Sequence, residues 1–295
     1  MFTATRLTDA PLISSAHFTA AGIDGGNNIN GPSLIRKPDW IDAPGKYWLY
    51  FAHHRDHYIR LAIADHLLGP YTLVPGGTLH RTQTHFNDHI ASPDVFVDHA
   101  QKRIVMFYHG CCNADPNVPW QQISCVAFSD DGIHFKSNRE TLSPSYLRMF
   151  AWRGKHFGIA MPGILFRSDD GLTKFEQGPR IISKDARHFA TLVRGDVLHL
   201  FYSIKGDCPE RIVHRPVTLT DDFHDWRIGD KSDILRPERD YEGIHADHIP
   251  SQNGAVWKPS YQLRDPAIFE EDGITYLLHT VAGESGIAIA RLDEV

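Results

Sequence analysis

Three carboxylates stand out by where they sit in the chain: Asp94 in Ser92-Pro93-Asp94-Val95, Asp265 in Arg264-Asp265-Pro266, and Glu210 in Lys205-Gly206-Asp207-Cys208-Pro209-Glu210-Arg211. A pair of carboxyl groups, one holding a proton and one ionised, is the equipment of glycoside hydrolysis. The spacing sets the outcome, about 5 to 5.5 Å for retention and roughly 6.5 to 9.5 Å for inversion. Glu242 and Glu284 lie in loops that could supply further contacts. Histidine is abundant, with 19 residues, and His53, His54, His57, His85, His89, His109 and His188 fall close to the same segments. Imidazole both donates and accepts hydrogen bonds, which suits sugar hydroxyls. Neither an HExxH helix nor a His-x-His strand pair occurs, so spacing gives a catalytic transition metal no support. No cofactor is expected, although a structural cation on the central axis is compatible with the sequence.

These residues must be brought together by short strands. From Leu263 to Leu292 the chain reads as a three-stranded meander, with an Asp272-Gly273 turn and a Gly-rich turn at Gly283 to Gly286. The same unit recurs at Gly31-Pro32-Ser33, Ser92-Pro93-Asp94, Arg148-Met149-Phe150 and His188-Phe189-Ala190, each followed by an aromatic-rich second strand. The starts fall roughly 40 to 76 residues apart, the spacing of a four-stranded propeller blade with its loops. The expected fold is all-β: a five-bladed β-propeller of antiparallel four-stranded blades, one domain over residues 1–295. An N-terminal strand, Thr5 to Leu12, should close the ring against Ile287 to Leu292, hiding an open sheet edge.

In such a ring the innermost strands begin, and their neighbours end, at one face. That rule collects Asn30, Ser92, Asp94, Arg148, Arg187, His188, Arg264 and Asp265 from strand starts, and His53, His54, Arg55, His109, Asp207, Glu210, Arg211 and Glu284 from strand ends. The Gly/Asn-rich loop Ala21 to Asn30 brings Asp24 and Asn30 beside the axis, and Glu242 lies in a long loop that could fold over the face. The reading assigns catalysis to Asp94 or Asp265 as base and Glu210 as acid, with Glu242 or a histidine as substitute. Substrate contacts fall to Asn30, His53, His54, Arg55, His109, Arg148, His188, Arg264, Glu242 and Glu284, and Trp152, Trp257 or Tyr241 could stack on a sugar.

The net charge of -6 and the lack of basic runs argue against a nucleic-acid partner. Neither an export leader nor an 18-residue apolar run is legible, which points away from the membrane and toward a cytoplasmic protein. Cys111, Cys112, Cys125 and Cys208 have neither CxxC nor zinc-finger spacing and read as reduced thiols.

With these motifs in place, the chain resembles the five-bladed propeller glycoside hydrolases of families 43, 32 and 68, the superfamily of arabinanases, β-xylosidases and invertase-like enzymes. The resemblance implies a catalytic Asp on blade one, an orienting Asp on blade two and an acidic Glu on blade three. Asp94 matches the second of these. Blade one, however, reads Asn30-Gly31-Pro32 where an Asp would precede the proline, and blade three opens Tyr146-Leu147-Arg148-Met149 without a carboxylate. The expectation is therefore an exo-acting glycosidase with a rewired pair, taking the terminal sugar of a small carbohydrate. Its rival is a non-hydrolytic propeller, either a sugar-binding module or a lyase or isomerase using His and Arg on an acidic sugar.

Overall fold

The computed structural model describes residues 1–111 and 120–295; Cys112 lies outside them. All described strands fall into five antiparallel sheets. Blade one runs through Asn30–Arg36, Tyr47–Ala52, Arg60–Ala64 and Thr72–Leu73. Blade two is built on Ile90–Asp98, Arg103–Cys111, Gln122–Ser129 and Lys136–Ser137. Blade three uses Arg148–Trp152, Lys155–Ala160, Ile164–Ser168 and Glu176–Arg180. Blade four uses Ala186–Arg194, Val197–Ile204, Ile212–Thr218 and Arg227–Ile228. Blade five takes Arg264–Glu271, Ile274–Val281 and Gly286–Glu294 from the C-terminal end, and its fourth strand, Phe2–Arg6, from the N-terminal end.

The second strands read as unbroken apolar runs because a blade is covered on both faces. In Tyr47–Ala52, Trp48 and Tyr50 pack toward blade two with Ile104, Met106 and Tyr108. Tyr47, Leu49 and Phe51 pack toward blade five with Phe269, Leu278 and Ile289. One such apolar cluster fills each of the five interfaces between blades. The hydrophobic core is thus a circle of wedges, and alternation of side chains across each strand assigns every residue to one wedge or the next.

Ring closure pairs the expected segments, starting earlier in the chain and with a break in the strand. Phe2 to Arg6 pair with Glu294 to Ala290, and after a detour Ile13 and Ser14 pair with Ile287 and Gly286. The detour carries Asp9-Ala10-Pro11, and proline cannot donate to a ladder, so the strand breaks there and resumes beyond it. A single α-helix among the described residues, Ser15–Ala21, precedes the loop into blade one. Its Phe18 packs into the wedge between blades five and one.

Candidate active site

The inner strands carry a recurrent irregularity at the same level. Register shifts fall between Asn30 and Ser33, Ala91 and Asp94, Arg187 and Ala190, and Arg264 and Ala267. The skipped residues include Gly31, Ser92, His188 and Asp265, which have φ of 57°, 51°, 58° and 47°. Blade three has the equivalent residue in Tyr146, φ 66°, just before its strand. One left-handed residue per blade therefore forms a ring around the axis. A bulge of this kind re-aims a side chain out of the ladder. Holding bulky residues such as Tyr146 and His188 there costs on the order of 1–3 kcal/mol each, a pattern concentrated at functional sites.

Each ring position has its own local reason. At Gly31 a Cβ would lie 2.9 Å from the Ser92 Cα, so blade one tolerates no side chain there. Asp265 is 2% exposed. Its Oδ1 accepts the Tyr146 hydroxyl and lies 3.1 Å from His188 Nδ1, and its Oδ2 accepts the Thr280 hydroxyl at 3.3 Å. Burial and then the Arg187 charge hold the His188 imidazole well below its ordinary pKa, so it is neutral. Arg148 places its guanidinium 4.8 Å from the Tyr146 ring centre and donates to the Ser92 carbonyl at 3.2 Å.

Beside this ring, blades four and five share a buried ladder of opposite charges. Arg187 grips Glu210 through both Nε, at 2.9 Å, and Nη2, at 2.5 Å. Arg264 reaches Glu210 with Nε and Glu284 with Nη1, both at 3.1 Å. Glu284 also accepts from Asn28 Nδ2 and from the Val256 amide at 3.2 Å, and His54 Nδ1 lies 3.6 Å away. Asn28, completely buried, in turn accepts from Asn30 at 2.8 Å and from the His54 amide at 2.9 Å. Burial alone would raise both glutamates. For Glu210 the charges of Arg264 and Arg187 outweigh it, and for Glu284 the neighbouring His54 and Arg264 do so, leaving each below its usual value.

Backbone carbonyls of Gln252 and Gly254 accept from Arg187 and Arg264, so the loop from 236 to 263 covers this side of the face. Its Trp257 meets His53 edge-on at 5.4 Å, and Arg55 sits 5.6 Å from the same ring.

The other half of the face is an arc of rings: His54 to His89 at 6.3 Å, His89 to His109 at 6.1 Å, His109 to Tyr146 at 5.5 Å and Tyr146 to His188 at 4.8 Å. Hydrogen-bonding capacity is unspent here. Among the described residues, His109 Nδ1 and Arg148 Nε are buried without a partner. Burial, then the neighbouring His89, keeps His109 neutral. No group of three or more His, Cys, Asp or Glu among the described residues is arranged to hold a metal.

Of the other residues picked out in the sequence, Asp94 lies in the layer directly below the ring, two positions past Ser92 on the same strand, and the rest lie apart from the face. Asp94 points into an axial channel of about 970 Å³, below the ring, with Arg148 and Met149 in the same wall. Its Oδ2 accepts the Met149 amide at 3.0 Å, and burial lifts its pKa against the pull of Arg148. Glu242 does not fold over the site. It is buried against Arg6, at 2.7 and 2.9 Å, and accepts the Glu238 and Arg239 amides, which makes it a clamp on the closing strand. Tyr241 packs with it toward Thr8, and Trp152 is buried between blades three and four. Asp24 is exposed on its loop, and Arg211 is occupied by Asp207 and Asp233. Tyr146, Thr280 and Asn28 went unrecognised in the sequence. Aligning Tyr146-Leu147 with Ser92-Pro93 and Asp265-Pro266, rather than starting blade three at Arg148, brings Tyr146 into the ring.

The architecture is that of the five-bladed propeller glycoside hydrolases. An endo-1,4-β-xylanase of Bacteroides thetaiotaomicron superposes with a TM-score of 0.61 at 14% identity, over 91% of this chain and 96% of that one. A family GH43_1 enzyme of Xanthomonas citri, complexed with xylose, gives 0.61 at 12% identity over 99% and 92%. Identities this low establish a shared fold. No family model matches the sequence. At the level of sequence the chain belongs to one family with the uncharacterized protein R118 of Acanthamoeba polyphaga mimivirus, 34% identical over 303 residues that span 90% of this chain and 84% of the viral protein.

Proposed function

We propose that the protein is an exo-acting glycoside hydrolase that takes the terminal sugar of a short oligosaccharide or glycoside against the arc of His109, Tyr146 and His188. The observation that carries this reading is Asp265, held on a left-handed backbone in the axial ring with Tyr146 and Thr280 donating to it and His188 Nδ1 3.1 Å away. Asp265 has the base role. The acid role assigned to Glu210 from sequence fits poorly, because Arg187 and Arg264 keep that carboxylate ionised. Asp94 fits better: burial favours its protonated form, and Arg148 links its wall of the channel to the ring. His109 Nδ1 and Arg148 Nε, both without a partner among the described residues, are matched to sugar hydroxyls. The shared fold with xylan-cleaving and xylose-binding enzymes supports the substrate class.

The test is a screen of the purified protein against aryl and natural glycosides. Asp265→Asn and Asp94→Asn should each lower kcat by about 10²–10⁴-fold with the fold intact. Sugar binding without turnover of any glycoside would overturn hydrolysis. It would favour the second reading, a non-hydrolytic sugar-binding propeller, which draws on the neutralisation of Glu210 and Glu284 by Arg264.

A further inference from the structure

Asp265 is poorly placed to attack a sugar itself. Both of its oxygens already accept hydrogen bonds, Oδ1 from Tyr146 and Oδ2 from Thr280, and His188 Nδ1 crowds Oδ1 at 3.1 Å. Its short contact is with a hydroxyl rather than with open space. Tyr146 lies in the arc between His109 and His188, on a left-handed backbone that a bulky side chain adopts only at a cost. The cation of Arg148, 4.8 Å from the ring centre, stabilises negative charge developing on the phenol. A tyrosine hydroxyl is an alternative to the carboxylate nucleophile in some glycosidases.

Resting on the hydrolase reading, we propose that Tyr146 is the nucleophile and Asp265 its general base, so that the reaction passes through a glycosyl-tyrosine and retains anomeric configuration. In the first step the Tyr146 oxygen bonds to the anomeric carbon, its proton passes to Asp265, the glycosidic C–O bond breaks, and the leaving oxygen takes a proton from Asp94. In the second step water attacks the anomeric carbon and gives its proton to Asp94, while the departing phenolate recovers its proton from Asp265. Both carboxyl groups return to their starting states. Burial, and then the charge of Asp265, hold the phenol well above its ordinary pKa, so the proton must leave as the bond forms. That requirement explains why a carboxylate is in direct contact with the hydroxyl. Thr280 is a positioning residue, engaging Oδ2 of Asp265 so that Oδ1 faces Tyr146.

The experiment uses the full-length parent protein and the 2-deoxy-2-fluoro analogue of whichever aryl glycoside it turns over, a probe that slows breakdown of a covalent intermediate. Peptide mass spectrometry should find the fluorosugar on Tyr146, and NMR of the first-formed product of the ordinary substrate should show retention. Tyr146→Phe, which keeps the ring, should lose the adduct and at least a thousandfold in kcat, with sugar binding within a few fold of the parent. An adduct on Asp265 or Asp94, or inversion with hydrolysis intact, would overturn the tyrosine assignment and leave the hydrolase reading standing. Failure of the parent to turn over any glycoside would overturn both.

Discussion

The two halves of the inner-strand face use polar residues to different degrees. On the side of blades four and five, Arg187, Glu210, Arg264 and Glu284 bond mainly to one another under the loop from 236 to 263, although among the described residues Arg264 Nη2 and Gln262 Oε1 stay without partners. On the side of blades two and three, His109 and Arg148 keep buried donors or acceptors without partners. Charges that satisfy each other hold loops in place, whereas polar groups left unsatisfied are where a ligand gains most. A dense collection of charges thus locates a site without itself being the reacting part.

The paired half carries the largest expected effect. Arg264→Met leaves Glu210 and Glu284 short of a buried counter-charge and should cost about 3–5 kcal/mol in urea unfolding. A loss under about 1 kcal/mol would mean that the ladder is not structural. Acid titration sharpens the contrast. His109 and His188 have folded pKa values below the unfolded 6.5, so the unfolded chain binds more protons and stability falls as pH drops below about 6.5. The slope approaches about 1.4 kcal/mol per pH unit for each histidine. Glu210 and Glu284 have folded values below the unfolded 4.5, so their stabilisation is present above that pH and is lost as pH falls through the folded values. Unfolding midpoints of His109→Phe should be flatter between pH 6.5 and 5, with the decline below pH 4.5 unchanged. The smallest effect belongs to Trp257→Ala, which removes an exposed ring from His53 and Arg55. Stability should change by about 1 kcal/mol or less, and a larger loss would show that the covering loop hangs on this one residue.

The fold was readable because its signals are local. Apolar second strands, Asp-Gly turns and a recurrent Pro after the ring residue each report within a few positions, and they define five blades without long-range information. The face was readable from strand polarity alone. What the sequence hides is partnership. Glu210 and Glu242 look alike as loop carboxylates, yet one is gripped by Arg187 and Arg264 and the other by Arg6, more than two hundred residues away in the chain. Tyr146 was obscured for a different reason: its bulge precedes the strand instead of lying within it, and no proline follows to mark the position. Asn28 carries no motif at all, and its importance comes from burial among Asn30, His54 and Glu284.

The closing strand sets a temporal order on folding. Phe2 to Arg6 have as partners Ala290 to Glu294, and the amino group of Met1 donates to the Val295 carbonyl at 2.9 Å. Four blades are assembled from neighbouring hairpins, but the fifth waits for segments separated by nearly the whole chain, and contacts of that sequence separation form slowly. The Arg6–Glu242 clamp gives the late strand a second attachment. The Phe2–Arg6 seam is thus the place where an incomplete ring exposes an unpaired sheet edge, and where a nascent chain is open to pairing with another copy until its last strand arrives.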